Sequence, residues 1–406
     1  MKFLMLVLDG LGDRPDKRGR TPLEAAKTPN MDSLAREGMT GLVDPIRPGI
    51  VPGSDTAHIS LLGFNPYEVY MGRGPYEALG AGLTLKEGDL CFRTNFATLE
   101  SRTNKIEDRR AGRISGNLSE LEKAINDIKL PCNFEFKQTV DHRGVLVLRG
   151  KKFSDQITST DPHKTEVPIR KCNSLDKSKE SVSSASIVNK FSDLAQKALE
   201  ECKLNAERKR DKLPPANALL LRGAGVYHEN STVEDAYGIR GSCVAGTAIV
   251  KGVAKSMGLE IINVPGATGG ADTDIKCKLD FALKTLETRD FCLINIKATD
   301  NFSHDGNFKG KTEMIEKIDA KLGGIVRETN KNLVVAILGD HTTPCSLKAH
   351  SGDPVPLVIK GPTTRVDLSR GFDEKNCMQG GVGRIRGTDL LLILMNLAGK
   401  EKLYGA

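Results

Sequence analysis

Three apolar runs, far apart in the chain, each lead into an aspartate, and this recurrence constrains the fold more than any other feature. The three pairs of run and acid are Lys2–Leu8 with Asp9, Phe291–Ile296 with Asp300, and Leu333–Leu338 with Asp340. Short apolar runs are typical of strands buried in a parallel sheet, and open α/β sheets bind ligands beyond the carboxyl ends of such strands. The pattern predicts an α/β fold, a mostly parallel sheet sandwiched by helices, with three acids at one edge.

Three histidines accompany these acids. His341 directly follows Asp340, His304 lies four residues after Asp300, and His350 lies in the next polar loop. Taken singly, such an Asp-His pair is equally well explained by a helix cap and ordinary loop residues. Six oxygen and nitrogen ligands at one sheet edge suit two divalent metal ions, and a mixed carboxylate and imidazole set favours Mn, Zn or Co over Ca or Mg. The recurrence therefore favours a two-metal site.

A serine in the segment Gly49–Gly63 is the candidate nucleophile. Ser54 precedes Thr56–Leu62, a stretch with helical spacing. A serine at a helix N-terminus meets unpaired amide donors and the positive end of the helix dipole, which favours an alkoxide and a bound phosphate. A bound metal would also lower the pKa of the serine, and two metals about 3.5–4 Å apart can clamp the attacking and leaving oxygens of a phosphoryl transfer. The alternative is that Ser54 only caps the helix.

The length and the changing character of the chain predict two domains, one of them inserted into the other. A chain of 406 residues is too long for one simple core. Between residues 85 and 225 the α/β rhythm gives way to strands around an Arg-rich segment, and no run there ends in a matching acid. We therefore predict a metal-binding domain formed by residues 1–84 and 226–406, with a smaller inserted α+β domain at residues 85–225.

Some segments of mixed character also receive an element prediction. The polar segment Glu166–Lys190 is predicted to be a surface loop, followed by a helix over Phe191–Cys202. Small and apolar residues at helical spacing predict a helix over Gly241–Ser256, and Thr312–Thr329 is predicted to be one amphipathic helix.

Composition excludes several classes of function. No apolar run approaches the roughly 20 residues of a membrane span, and we interpret the N-terminal MKFLMLVLDG as a first strand rather than a signal peptide. Nine scattered cysteines fit a reduced cytoplasm better than a disulfide framework. The net charge is +7, but the basic runs are interleaved with acids and lack aromatic residues, which argues against nucleic acid. We expect a cytoplasmic protein that acts on a small molecule.

Several short motifs carry a resemblance to known proteins. The motifs LDG, GSDTAH, KATDNFSHDG, GDHTTP and KAHSGDPVP, which contain the residues discussed above, resemble the alkaline phosphatase superfamily. The motifs MGRGPYEALGAG, DRRAGRI, HRGVLVLRG and TDPH resemble, more narrowly, the archaeal-type cofactor-independent phosphoglycerate mutases. The resemblance extends over essentially the whole chain, and it implies an alkaline-phosphatase-like fold with the insertion as substrate-binding domain.

The resemblance also implies roles for individual residues. Ser54 would become phosphoserine and would bind one metal together with Asp9, Asp340 and His341, while the second metal would be bound by Asp300, His304 and His350. Lys297 could neutralise the transferring phosphoryl group. His58 is expected to support the site or to pack beneath it, without a catalytic role.

The inserted domain is expected to hold the glycerate carboxylate and phosphate through basic side chains. Arg110, Arg113, Arg143 and His163 are the candidates, chosen because arginine recognises carboxylates in a bidentate manner, and Asp108 is a candidate proton shuttle. The alternative for each arginine is an ordinary surface salt bridge.

The activity implied by the resemblance is the interconversion of 2- and 3-phosphoglycerate in glycolysis and gluconeogenesis, independent of 2,3-bisphosphoglycerate. Two divalent ions are expected, with Mn preferred and Mg, Co or Zn as alternatives. A metal-dependent phosphohydrolase or another phosphomutase on the same core would carry the same metal motifs, and a non-catalytic anion-binding protein should have lost Ser54 or a metal ligand. The sequence does not decide between a monomer and a homo-oligomer.

Overall fold

The chain forms two compact units in the computed structural model, which describes residues 1–100 and 102–403. The first unit combines Met1–Tyr70 with Asn230–Ala406, and the second is the continuous segment Met71–Glu229. Within the first unit, the Asn230 side chain donates a hydrogen bond to the carbonyl of Val69 (3.2 Å), so the two points at which the chain leaves and re-enters this unit are adjacent. Among the described residues, no helix is long and apolar enough to cross a bilayer.

The strands and helices are numbered in chain order. The strands are β1 (Lys2–Leu8), β2 (Met39–Asp44), β3 (Leu90–Leu99), β4 (Ile106–Asp108), β5 (Phe134–Gln138), β6 (Arg143–Leu148), β7 (Ala218–Val226), β8 (Gly241–Val244), β9 (Glu260–Ile261), β10 (Phe291–Ile296), β11 (Leu333–Leu338), β12 (Val355–Lys360) and β13 (Gly383–Arg386). The α-helices are α1 (Pro22–Ala25), α2 (Pro29–Arg36), α3 (Ser54–Leu61), α4 (Pro66–Val69), α5 (Arg73–Gly80), α6 (Ser119–Asn126), α7 (Lys179–Glu200), α8 (Lys203–Arg210), α9 (Val233–Tyr237), α10 (Ala248–Ser256), α11 (Ile275–Thr285), α12 (Ala298–His304), α13 (Phe308–Asp319), α14 (Gly323–Glu328), α15 (Glu374–Cys377) and α16 (Gly387–Leu397). A short 3-10 helix covers Ala111–Arg113.

The first unit is built on an eight-stranded sheet in the order β13-β2-β12-β11-β1-β10-β8-β9. In this order, the five neighbouring strands β11, β1, β10, β8 and β9 are parallel, whereas β12 runs antiparallel to both of its neighbours. Strand β1 lies between β10 and β11, and all three are almost wholly buried. This burial explains why they are apolar throughout their length, as expected for parallel strands covered on both faces.

Helices cover this sheet because alternate strand residues are apolar on both faces. Leu4, Leu6 and Leu8 of β1 pack in one core cluster with residues of α2, α11, α13 and α14. Their neighbours Phe3 and Met5 are equally buried and point to the opposite face. Helix α3 contacts both α10 and α16, and these two helices also contact β8 and β11 respectively. The predicted α/β class with a mostly parallel sheet is confirmed.

The second unit contains an antiparallel sheet centred on β3, the longest strand. Strand β3 pairs with β6 and β4 and also with β7, and β5 extends the sheet beyond β6. Residues of α6 and α7 form the main core of this unit with one sheet face, and α5 packs beside β3, β6 and β7.

Three element predictions were wrong in ways that have a physical cause. Helix α7 begins at Lys179, inside the predicted loop Glu166–Lys190, because Ser178 caps it and its buried face uses small residues such as Ser181 and Ser184 that do not look apolar. Residues at the start of Gly241–Ser256 form strand β8 because they pair with β10.

The third wrong prediction is the single helix over Thr312–Thr329, because this segment is divided between α13 and α14. The division follows Asp319, whose carboxylate accepts hydrogen bonds from the backbone of Asn30 and Met31 at the start of α2.

Candidate active site

Parallel pairing of β10, β1 and β11 brings the three predicted acids to one edge of the sheet. Because the carboxyl ends of neighbouring parallel strands coincide, Asp9, Asp340 and the segment leading to Asp300 follow one another along that edge. Asp300 itself lies in the first turn of α12. All three aspartates are buried, with exposures of 0, 0 and 1 %. Buried carboxylates are costly unless a cation or several donors compensate them.

The acids and histidines form two groups, each suited to one metal ion. The first metal group consists of Asp9, Asp340 and His341, and the second metal group of Asp300, His304 and His350; within each, the ligand atoms lie within 4.8 Å of one another. The rings of His341 and His350 stack with centroids 3.6 Å apart, so the two groups lie side by side.

The histidines present their Nε2 atoms to the carboxylates. Nε2 of His341 lies 3.5 Å from Asp9 Oδ1 and 3.4 Å from Asp340 Oδ2, and Nε2 of His304 lies 3.3 Å from Asp300 Oδ2. His304 and His350 donate Nδ1–H to the carbonyls of Lys348 (2.9 Å) and Pro52 (2.8 Å). Since each Nδ1–H is donated to a carbonyl, the lone pair on Nε2 is free to bind a metal. Metal-binding histidines commonly show this arrangement.

An orphaned acceptor supports the same interpretation. Asp340 Oδ2 is buried and has no hydrogen-bond donor among the described residues. A buried carboxylate oxygen without a donor is costly, and a divalent cation would satisfy it. The residues present therefore fit two divalent ions, one at each group.

Lys297 is the positive charge that the protein itself supplies between the groups. Its Nζ lies 2.7 Å from Asp9 Oδ1 and 2.5 Å from Asp300 Oδ2. Burial disfavours the ammonium, but the surrounding carboxylates outweigh it and raise the pKa of Lys297. Burial, followed by the charge of Asp340, raises the pKa of Asp9. This excess of negative charge is what a bound cation would relieve.

Ser54 lies beside the first metal group, at the first position of α3. Its Oγ is 3.2 Å from His341 Nε2, and the residue is 8 % exposed. The first turn of α3 leaves backbone N–H groups without helical partners, so the hydroxyl sits at the positive end of the helix. The structure thus brings Ser54 together with the predicted ligands of one metal.

In the second unit, arginines gather on one face of the antiparallel sheet. Arg93 on β3 pairs directly with Arg222 on β7, while Asn95, two residues along β3, pairs with Arg143 on β6. Residues that pair directly point to the same side of a sheet, so the three arginines share one face, which we call the arginine face. Burial and then the neighbouring arginine charges, offset in part by Glu77, lower the pKa of Arg93.

Asp161 holds further basic groups in place. Arg109 binds its carboxylate in a bidentate manner (3.1 and 2.7 Å), and the backbone N–H of His163 donates to it (2.8 Å). Arg222 Nη1 lies 4.0 Å from the same carboxylate. Asp161 is buried, and the hydrogen bonds from Arg109 and His163 outweigh its desolvation and lower its pKa.

The residues predicted to bind substrate lie at different positions in the second unit. Arg143 belongs to the arginine face. Burial, followed by the positive charges of Arg143 and Arg110, lowers the pKa of His142 to about 4. The Asp108 carboxylate accepts from the backbone N–H groups of Arg110 and Gly112 (2.7 and 3.0 Å), which shapes the arginine-bearing loop.

Arg113 is exposed, and no contact among the described residues joins it to the arginine face. The predicted roles of all these residues in binding and proton transfer stay predictions.

Comparison with known proteins decides the family. The family model for 2,3-bisphosphoglycerate-independent phosphoglycerate mutase matches residues 35–205. Proteins of that name from Methanococcus aeolicus and Methanocaldococcus jannaschii are 47 % and 45 % identical to this chain, cover all of it, and are themselves covered over 100 % and 99 % of their length. The chain belongs to this family.

Solved structures agree with the membership. The cofactor-independent phosphoglycerate mutase from Thermoplasma acidophilum is 34 % identical and superposes with a TM-score of 0.72 over 98 % of this chain and 100 % of its own. A protein from Pyrococcus horikoshii is 38 % identical, with a TM-score of 0.87 over 100 % of this chain and 99 % of its own. The predicted family is confirmed, and since mutases are isomerases, so is the prediction of an isomerase.

In this member of the mutase family, Asn295 supports the site but was not predicted from the sequence. Asn295 lies within the apolar strand β10, and its amide donates to Asp9 Oδ2 (3.0 Å) and toward His58 Nε2 (3.4 Å). His58 in turn donates Nδ1–H to the carbonyl of Ser54 (2.6 Å). A polar residue inside an otherwise apolar run was the available signal, because a buried amide needs partners.

Proposed function

We propose that this chain interconverts 2- and 3-phosphoglycerate by transferring the phosphoryl group to Ser54 Oγ and back, without 2,3-bisphosphoglycerate. The observation that carries this proposal is the position of Ser54, at the start of a helix and 3.2 Å from Nε2 of His341 in the first metal group. A serine in that position lies near amide donors, an imidazole and buried carboxylates that are suited to bind cations. Such groups typically surround the nucleophile of a phosphoryl transfer.

The first transfer forms a bond between Ser54 Oγ and phosphorus and breaks the bond between phosphorus and one glycerate oxygen. The serine loses its proton as it attacks, and the departing glycerate oxygen gains one. Amide groups at the start of α3 and the Lys297 ammonium stabilise negative charge on the phosphoryl oxygens. Two divalent ions, Mn²⁺ by preference, would bind at the two metal groups, withdraw charge from the phosphoryl oxygens and lower the pKa of the Ser54 hydroxyl.

The second transfer returns the phosphoryl group to the other hydroxyl of the same glycerate. The intermediate must therefore keep glycerate bound while it reorients, and it must keep water from the phosphoserine. We assign the retention of glycerate and the exclusion of water to the second unit. Its arginine face and Arg109, which Asp161 holds in place, carry guanidinium groups that can bind a carboxylate. This assignment makes the inserted segment the feature that distinguishes a mutase from a phosphatase.

The finer assignments follow from the same proposal. The substrate is phosphoglycerate, a small anion, and the enzyme works in the cytoplasm. In this proposal, Ser54, Asp9, Asp340 and His341 bind one metal ion, and Asp300, His304 and His350 bind the other.

A coupled enolase assay tests the proposal directly. Metal-stripped protein is incubated with 3-phosphoglycerate and one added metal, and both 2-phosphoglycerate and free phosphate are measured. We expect 2-phosphoglycerate as the main product, together with phosphate on the peptide that contains Ser54. Free phosphate as the main product would indicate a phosphohydrolase, and a label on another residue would overturn the assignment of Ser54.

A further inference from the structure

The hydroxyl of Thr343 lies between the two metal groups and contacts one member of each. Its Oγ1 is 2.8 Å from His341 Nδ1, in the first metal group, and 2.9 Å from Asp300 Oδ1, in the second. Thr343 is completely buried. Among the described hydrogen bonds, only two side chains contact both metal groups. One is the charged Lys297, and the other is the uncharged Thr343.

The chemistry of the three groups fixes the direction of both hydrogen bonds. A hydroxyl has one proton to give, and an ionised carboxylate can only accept. Thr343 therefore donates to Asp300, and its remaining lone pair accepts Nδ1–H from His341. With its proton on Nδ1, the His341 ring keeps a lone pair on Nε2, the atom that faces Asp9, Asp340 and Ser54.

The backbone holds this hydroxyl where it is. The N–H of Thr343 donates to the carbonyl of Gly12 (3.1 Å), and its own carbonyl accepts from Lys311 Nζ (3.2 Å). The buried Lys311 also donates to the Gly12 carbonyl (3.0 Å) and to Asp13 Oδ2 (2.9 Å). All three protons of the ammonium are thus used to tie the loop after β1 to the loop after β11.

We propose that Thr343 is a positioning residue that couples the two metal groups. One hydroxyl selects the His341 tautomer that can bind a metal and fixes the Asp300 carboxylate, so its loss weakens metal binding at both groups. This inference rests on the proposed two-metal function. The alternative is a threonine whose hydroxyl merely satisfies local acceptors in a buried loop.

Two substitutions separate these explanations. Thr343→Val has the same shape but cannot donate or accept, whereas Thr343→Ser keeps the hydroxyl and loses only a methyl group. Thr342→Val is the matched control, because Thr342 is also buried in this loop but its hydroxyl donates to the carbonyl of Pro354 (3.0 Å).

Calorimetric titration of each metal-stripped full-length protein with Mn²⁺ measures stoichiometry and affinity without reference to activity. We expect two ions per chain for the wild type, with Thr343→Val binding both roughly 10- to 100-fold more weakly, the usual loss when a hydrogen-bond partner of a metal ligand is removed. Thr343→Ser and Thr342→Val should stay close to the wild type. Thermal unfolding without metal shows whether each variant is folded.

Three outcomes would overturn the inference. Unchanged affinities for Thr343→Val would show that the hydroxyl does not position the ligands. Equal weakening by Thr342→Val, or no rescue by Thr343→Ser, would show that loop packing is responsible. If the wild type itself bound no Mn²⁺, the two-metal function would fail as well; if it bound two ions and only the variant comparison failed, that function would stand.

Discussion

The backbone of Gly10 lies against the side chain of Asp300, a predicted ligand of the second metal group. A β-carbon at Gly10 would come within 2.7 Å of Asp300 Oδ1 and 2.9 Å of Thr343 Oγ1. Gly10 also has a φ of +65°, in the left-handed region that side chains disfavour. Position 10 therefore requires glycine for two separate reasons, and the two can be distinguished.

Gly10→Ala should destabilise the fold and weaken metal binding. Backbone strain costs about 1–2 kcal/mol, and the clash with Asp300 adds a further 1–3 kcal/mol or so, typical of overpacking. Gly19→Ala is the control, since Gly19 has a φ of +74° with open space where the β-carbon would lie. Urea unfolding and Mn²⁺ titration measure both variants. Equal effects at the two positions would mean that the contact with Asp300 is unimportant.

Ser54→Ala should abolish turnover and leave the fold intact. The hydroxyl is the proposed phosphate carrier, and without it neither transfer can occur. Ser60→Ala is the matched control, because Ser60 is buried on the same helix and its hydroxyl has no partner among the described residues. We expect full activity and a phosphorylated Ser54 peptide from the control. Normal turnover by Ser54→Ala would show that another group carries the phosphate.

Activity should require divalent metal and should not require 2,3-bisphosphoglycerate. Buried carboxylates in both metal groups would be stabilised by cations, and the proposed phosphoryl carrier is an enzyme serine rather than a bisphosphorylated cofactor. The measurement compares chelated and dialysed protein with the same sample after Mn²⁺ is restored, each with and without 2,3-bisphosphoglycerate. Full activity in the chelated sample would contradict the prediction.

Arg143→Ala and Arg93→Ala should raise the ratio of free phosphate to isomerised product. A hydrogen bond to a charged group contributes roughly 1.5–3 kcal/mol, so glycerate should escape about 10- to 100-fold faster and leave the phosphoserine open to water. Arg170→Ala serves as control, since Arg170 is exposed on the same unit. If both variants kept the wild-type ratio, the arginine face would not hold glycerate.

Stability should depend on pH through His142, a buried residue beside Arg143 and Arg110. Its pKa falls from 6.5 to about 4 on folding, so between these values the unfolded state binds more protons and stability rises with pH. His142→Gln removes this dependence. The free energy of unfolding of the variant, minus that of the wild type, should therefore be higher at low pH than at neutral pH, by at most about 3 kcal/mol. Urea unfolding at low and at neutral pH measures this difference, with His228→Gln as control. A constant difference between variant and wild type would refute the lowered pKa.

The sequence predicted the first unit better than the second because its signals are local. An apolar run followed by Asp9 or Asp340 indicates both a strand and the place where it ends, and parallel pairing then brings the acids together. The arginine face depends instead on the pairing of Arg93 with Arg222, which no local pattern reveals. Arg110 and Arg113 were chosen because they cluster in sequence, whereas the structure clusters residues by strand register.

Hydrogen-bonding residues that support the site were missed for a related reason. The role of Thr343 depends on the direction of its hydroxyl toward residues of two other segments, and a threonine after Asp-His-Thr carries no sign of this. Helix α7 was partly missed because its buried face contains serine and alanine, which pack closely without raising the apolar content.

The hydrogen bond between Asn230 and Val69 has an evolutionary consequence. Because the chain leaves and re-enters the first unit at adjacent points, the eight-stranded sheet and both metal groups are complete without any residue of the intervening segment. A gene segment encoding residues 71–229 could therefore have been acquired, exchanged or lost without changing the order of any strand in the eight-stranded sheet. Under the proposed function, selection could therefore alter substrate binding through the inserted segment and leave the residues of the two metal groups unchanged.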